Sequence, residues 1–160
     1  MAKARDIPEL ASGITFREAA ALAVETRSEE VFDHARGVLD TGDIERVHDM
    51  RVATRRLRAA MEIFQPCFPK KEFKRTLRDV KQLADALGER RDPDVHIEEL
   101  ERIAEALTRE DARGIRSLEA KLRAQQQAGN EALAAKLREI EETGLRQRLE
   151  ALVTAARAAT

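Results

Sequence analysis

Apolar and small residues recur along this chain every three or four positions, in runs separated by glycine, proline and capping residues. From Phe16 the positions Ala20, Ala23, Val31 and Val38 keep helical spacing until Thr41-Gly42 supplies a stop, which predicts a first helix capped by Thr15. Residues 1–13, punctuated by Pro8 and Gly13, are expected to form a flexible lead-in, and residues 14–160 a single domain. Asp43 offers an N-cap to a second helix whose inner line is Val47, Met50, Thr54, Leu57, Met61 and Phe64, closed by Gln65-Pro66. A third helix follows Pro69, with Phe73, Leu77, Val80, Ala84 and Leu87 inward and Gly88 in the place of a C′ glycine. Asp92-Pro93 then reads as an N-cap and first helical residue, opening a fourth helix with Val95, Ile97, Leu100, Ile103 and Leu107 inside. A loop from Gly88 to Arg91 is left between the two.

Beyond Thr108 the pattern stays helical but grows more polar. Leu118, Leu122, Leu133, Leu137 and Ile140 serve as anchors, and Gly114, Gly129 and Gly144 are expected breaks or kinks. Two helices, about 109–141 and 144–158, are predicted there. No segment alternates with a period of two, so the fold class is all-α, an antiparallel helical bundle of about five to six helices.

Composition supports that class: of 160 residues 37% are charged and 3% aromatic, without Trp or Tyr. The formal charge of -1 hides a segregation. Residues 46–81 hold eleven Lys/Arg against four Asp/Glu, a local +7, which leaves 18 against 26, or -8, elsewhere. The one cysteine, Cys67, has no partner for an intramolecular disulfide, and it sits between Pro66 and Phe68 as small filler without an activating base. No stretch approaches the roughly 20 apolar residues that span a bilayer. A cytoplasmic protein without membrane contact is the expectation.

The excess positive charge is ordered. His48, Arg51, Arg55 and Arg58 repeat at spacings of three, four and three, so they form one line on the second helix. Each follows a core position by one residue, which turns the line about 100° from the buried face. On the third helix Lys70, Lys74, Arg78 and Lys81 repeat the arrangement. A solvated helix face usually alternates signs, whereas Arg51, Arg55 and Arg58 neighbour one another, as do Lys74 and Arg78, at about 0.2–0.5 kcal/mol per like-charge pair. Only Arg58–Glu62 and Lys81–Asp85 are matched. The pattern calls for a compensating anion, either an acidic partner helix or a phosphate-rich ligand. Guanidinium forks suit phosphate oxygens bidentately, and the stripe lacks aromatic platforms for bases, so sequence-specific nucleic-acid binding is not expected.

His48 has two plain readings, a hydrogen-bonding residue at a helix start and a donor to phosphate. A phosphorelay histidine fits poorly, because Arg51 and Val52 stand where such motifs have Lys and Gly. His34 and His96 lie far from any Cys or carboxylate pair at ligand spacing, so neither a metal site nor a cofactor is expected. Asp92 reads chiefly as a cap, or as a clamp on Arg90, Arg91 or a stripe arginine. No phosphate loop or catalytic triad spacing is present, so the chain is read as a non-enzyme.

The segment HDMRVATRRLRAAMEIF, residues 48–64, followed by LADALGERRDPDV, residues 83–95, resembles the CHAD family of histidine-containing α-helical domains that bind inorganic polyphosphate. The resemblance covers roughly residues 45–100. It implies a helical bundle gripping polyphosphate through a basic surface, without catalysis, and directed to polyphosphate granules. By motif the ligand-facing set is His48, Arg51, Arg55 and Arg58, with Arg56 beside them and Arg91 from the second signature; Lys74, Arg78 and Lys81 come from the stripe. Family members typically carry two similar bundles around a shared groove, whereas the His-Arg signature occurs here once. Either a homodimer restores the second half, or the chain is a fragment or minimal form. The competing function is a helical protein-interaction scaffold in which the stripe meets an acidic partner or the chain's own Glu-rich residues 98–142.

Overall fold

The computed structural model describes residues 3–11 and 13–158. Among the described residues five α-helices follow one another: α1 (Phe16–His34), α2 (Glu45–Ile63), α3 (Lys70–Glu105), α4 (Ala112–Glu142) and α5 (Leu145–Ala158), with a 3-10 turn at Gln65–Cys67 between α2 and α3. No strand occurs among the described residues. The fold is an all-α bundle in which α1 packs on α2 and α5, α2 on α3, and α3 on α4.

α1 begins where the hydroxyl of Thr15 accepts from the Glu18 N–H at 3.1 Å while Glu18 accepts from the Thr15 N–H at 2.8 Å. That reciprocal box satisfies two donors the first turn leaves open. Ala20, Ala21 and Val24 are fully buried, and these small side chains bring α1 close to its neighbours. Arg5 is tied to this helix, its N–H donating to Glu30 at 2.6 Å and its guanidinium pairing with Glu29 and Asp33. The inner line of α2 is as its spacing predicts, since Val47, Met50, Thr54, Leu57 and Met61 are all buried and Phe64 is half-buried. Leu145, Leu149, Leu152, Val153 and Ala156 of α5 close the core. Each fully buried leucine contributes about 1.5–3 kcal/mol.

Several boundaries differ from expectation. α1 ends at His34, because the chain turns at Gly37 in the left-handed region (φ 73°) and not at Thr41-Gly42. A Cβ at Gly37 would meet Arg46 Nη1 at 2.8 Å, so both conformation and space select glycine there. Asp43 does not cap α2; Ile44 holds that position without a side-chain bond, and Asp43 accepts from Arg46 Nε at 2.9 Å.

The largest correction concerns the loop expected from Gly88 to Arg91. That segment is helical, and the expected third and fourth helices are one helix of 36 residues with Pro93 inside it. Asp92 is therefore a mid-helix residue and no cap. Proline removes one helical donor, and an interior proline ordinarily costs about 3 kcal/mol. The offset lies on the far side of α3. Arg90 Nη1 donates to Asp94 Oδ1 at 2.5 Å with both side chains fully buried, so an i,i+4 clamp spans the proline. Gln126 Nε2 of α4 donates to the same oxygen at 2.6 Å, and Arg90 Nε donates to Asn130 at 3.1 Å. Gly129 admits this contact, since a Cβ there would lie 3.2 Å from Arg90 Cα. Gly114 and Gly129 sit inside α4, whereas Gly144 (φ 68°) does break the chain between α4 and α5. Val95, Ile103, Leu107 and Leu118, expected inward, are each more than 40% exposed.

Candidate functional site

The basic line of α2 borders a groove. Because α2 and α3 are joined by a short turn and pack together, the edge of α2 one residue past the core faces the corresponding edge of α3. Arg51, Arg55 and Arg58 form one wall, Asp85, Glu89 and Asp92 the other, and Ala84 and Gly88 lie between, around an open volume of about 520 Å³. Nothing stands within 4 Å of a Cβ built on Gly88, so the space there is free.

The α3 edge carries a change of sign. Lys74, Arg78, Lys81, Asp85, Gly88 and Asp92 follow one another at alternating steps of four and three, so they share one line. Its first three members are cationic, and the acidic part begins at Asp85. The two basic edges meet at one point. Glu62 of α2 takes Arg58 Nε at 3.1 Å and Lys81 Nζ at 3.2 Å, which joins the end of the α2 stripe to α3. The hydrogen bond from Arg58, aided by Lys81, holds the Glu62 carboxyl below its ordinary range despite some burial. Arg78 lies 3.4 Å from its neighbour Asp79, and its side chain and that of Lys74 are exposed beyond this junction.

Arg51 and Arg55 differ from Arg58. Among the described residues neither makes an ion pair within 4.0 Å, although three carboxylates line the opposite wall. Arg56 turns to the other side of α2, where with Val52, Arg55 and Ala59 it borders a separate recess. His48 heads the line, half-buried, with a ring nitrogen and one carboxylate oxygen each of Glu45 and Asp49 within 4.8 Å of one another. Arg91, whose side chain is mostly buried, stands 3.8 Å from Glu45 and 3.9 Å from Asp94, so it links this corner to the buried clamp. Of the nine residues marked in the sequence, Arg51, Arg55 and Arg58 share the groove, Lys81 joins them through Glu62, and His48 and Arg91 both meet Glu45.

Sequence reasoning missed the acidic wall, Glu62's bridging role and the Glu45–His48–Asp49 corner. The first had a signal: Asp85 and Asp92 continue the line that carries Lys74, Arg78 and Lys81, and Glu89 lies beside that line four residues after Asp85. Cys67 is buried, and burial pushes its thiol up, which leaves it an inert packing residue. No helix among the described residues is long and apolar enough to cross a membrane.

Fold and groove together define an all-α domain that presents a row of guanidinium groups to whatever enters from solvent. The chain belongs to the CHAD family, as the CHAD domain model matches residues 22–160, most of its length. CHAD domains are associated with polyphosphate binding and are generally non-catalytic binding domains. Comparisons with curated proteins and with solved structures returned no match.

Proposed function

We propose that this domain binds inorganic polyphosphate along the α2 side of the groove, without catalysis, and that this binding brings it to polyphosphate granules in the cytoplasm. The observation that carries the reading is the pair Arg51 and Arg55, two guanidiniums beside an open volume with no ion pair among the described residues. A bound anion supplies the missing counter-charge, and a row of planar guanidinium forks donates to the oxygens along a phosphate chain. Arg58 and Lys81, joined by Glu62, extend the row, and Lys74 and Arg78 continue it along α3. His48 and Arg91 close its other end beside Glu45, and Arg56 serves a chain that crosses to the second face of α2.

The scaffold reading requires the stripe to be neutralised from within or by an acidic partner. Among the described residues only Arg58 of the three groove arginines has an acidic partner within 4.0 Å, and that partner is on its own helix rather than in residues 98–142. Titration with long-chain polyphosphate at two salt concentrations tests the proposal. Each phosphate neutralised adds roughly -0.7 to -0.9 to the slope of log K against log salt. Arg51→Ala with Arg55→Ala is expected to weaken binding about 100-fold at low salt, at roughly 1.5 kcal/mol per charged contact, and to flatten the slope by nearly two. Unchanged affinity in that double variant, or polyphosphate binding no tighter than sulfate, overturns it.

A further inference from the structure

The α3–α4 hairpin outruns the bundle. At about 1.5 Å per residue α3 is roughly 54 Å long against roughly 28 Å for α2. From Glu98 through Gln125 not one residue is buried, although the segment carries Leu100, Ile103, Leu107, Ile115, Leu118 and Leu122. Two helices lying side by side leave their apolar stripes open on a flank, and a stripe of this kind is stabilised only by a further layer.

Helical spacing shows which flank is open. Glu101, Ala104, Glu105, Ala112, Arg116 and Glu119 line one side of the hairpin, a polar cleft. Ile103, 42% exposed, lies on the other side of the Leu100–Ala104 seam, and Leu118, 48% exposed, lies on the other side of the Ile115–Leu122 seam. These two large apolar side chains therefore share one face, and Leu107, also 42% exposed, follows the end of α3 in the connection to α4. On α3 that face is edged by Glu99, which is paired with Arg102 at 2.7 Å, and on α4 by Lys121, for which no ion pair is recorded among the described residues.

We propose that this face is covered by the same face of a second copy of the chain, giving a two-fold dimer in which two hairpins form a four-helix layer. Rim charge selects this occupant. A two-fold axis parallel to the hairpin sets the α3 edge of one protomer against the α4 edge of the other, so Glu99, held within its own helix by Arg102, gains Lys121 of the other copy as a second cationic neighbour, twice over. A like-charged surface has no such self-complementarity. The interface lies at the far end of α3 from Lys74 and Arg78, so it brings two grooves into one particle without placing their arginines in contact. The inference does not rest on the polyphosphate reading.

Sedimentation of the full chain without polyphosphate, at 0.5 M salt and over a range of concentrations, tests it. The wild type is expected to show a concentration-dependent monomer–dimer equilibrium. Leu118→Glu, at a half-exposed site where the fold tolerates charge, should give a monomer with unchanged helical circular dichroism. Lys121→Glu should weaken the dimer about 3- to 10-fold at low salt, as two symmetric rim pairs are lost, and Glu99→Lys combined with Lys121→Glu should restore it. A monomer at every concentration, or a dimer indifferent to both Leu118→Glu and the charge swap, overturns the proposal. Loss of polyphosphate binding with the dimer intact would sink only the functional reading.

Discussion

Within three turns α3 sends charged side chains to two opposite environments. Asp85, Glu89 and Asp92 face the open groove, while Arg90 and Asp94 are fully enclosed against α4. On the enclosed side partners converge: Asp94 Oδ1 accepts from Arg90 and Gln126, Arg90 reaches Asn130, and Asn130 Nδ2 donates to the Leu39 carbonyl at 3.0 Å. On the open side Arg51 and Arg55 find no such partner among the described residues. The same chemical groups hold the fold where neighbours pair them, even though Arg90 Nη2 and Asp94 Oδ2 lack a hydrogen-bond partner among the described residues, and remain available for a ligand where the packing leaves a gap.

Breaking the enclosed side should have the largest effect. Asp94→Ala leaves Arg90 buried without its counter-ion and is expected to lower stability by about 3–5 kcal/mol, read by chemical denaturation. The replacement of both partners by leucine should cost less, because no charge is then stranded. A loss below about 1 kcal/mol for Asp94→Ala would mean that the clamp does not hold α3 across Pro93.

The open side responds in affinity instead. Under the polyphosphate reading the acidic wall repels the ligand that the arginines attract, so Asp85→Asn, Glu89→Gln and Asp92→Asn together are expected to tighten binding about tenfold at low salt. The gain should shrink as salt rises. Fluorescence titration against long-chain polyphosphate checks it, and an unchanged affinity would place the phosphate chain outside the groove.

The contrast between these two sides also explains what could be read from the sequence. The core line of α2 and the basic line one residue beyond it were legible because both follow from a single helix's periodicity. The run from Leu87 to Asp94 was misread because Gly88 and Asp92-Pro93 are strong local stop signals. What overrides them is tertiary, a buried ion pair completed by Gln126 and Asn130 more than thirty residues later. The exposure of Ile103, Leu107 and Leu118 was equally out of reach, since periodicity tells which residues share a face and not whether anything covers it. The groove itself required knowing which edge of α3 meets α2, a matter of packing geometry.

Glu62 stands between the two regimes, and its removal should separate them with the smallest effect of the series. It is an exposed carboxylate that bridges Arg58 and Lys81, and the contact holds its pKa below the usual value of 4.5. A lowered folded-state pKa contributes stability above the unfolded value, which is lost as pH falls through the folded one. Since Glu62 is 42% exposed, solvent screens the bridge, and Glu62→Gln is expected to cost only about 0.2–1 kcal/mol at neutral pH. That difference should vanish once the pH drops below the lowered pKa, where the wild-type carboxyl is itself protonated. Polyphosphate affinity should move the other way, rising a few-fold at neutral pH because Arg58 and Lys81 lose an internal competitor. Denaturation and titration on the one variant thus give opposite signs if the groove is a binding site. A drop in both would make the bridge a structural brace, and would assign Arg58 to the fold along with Arg90.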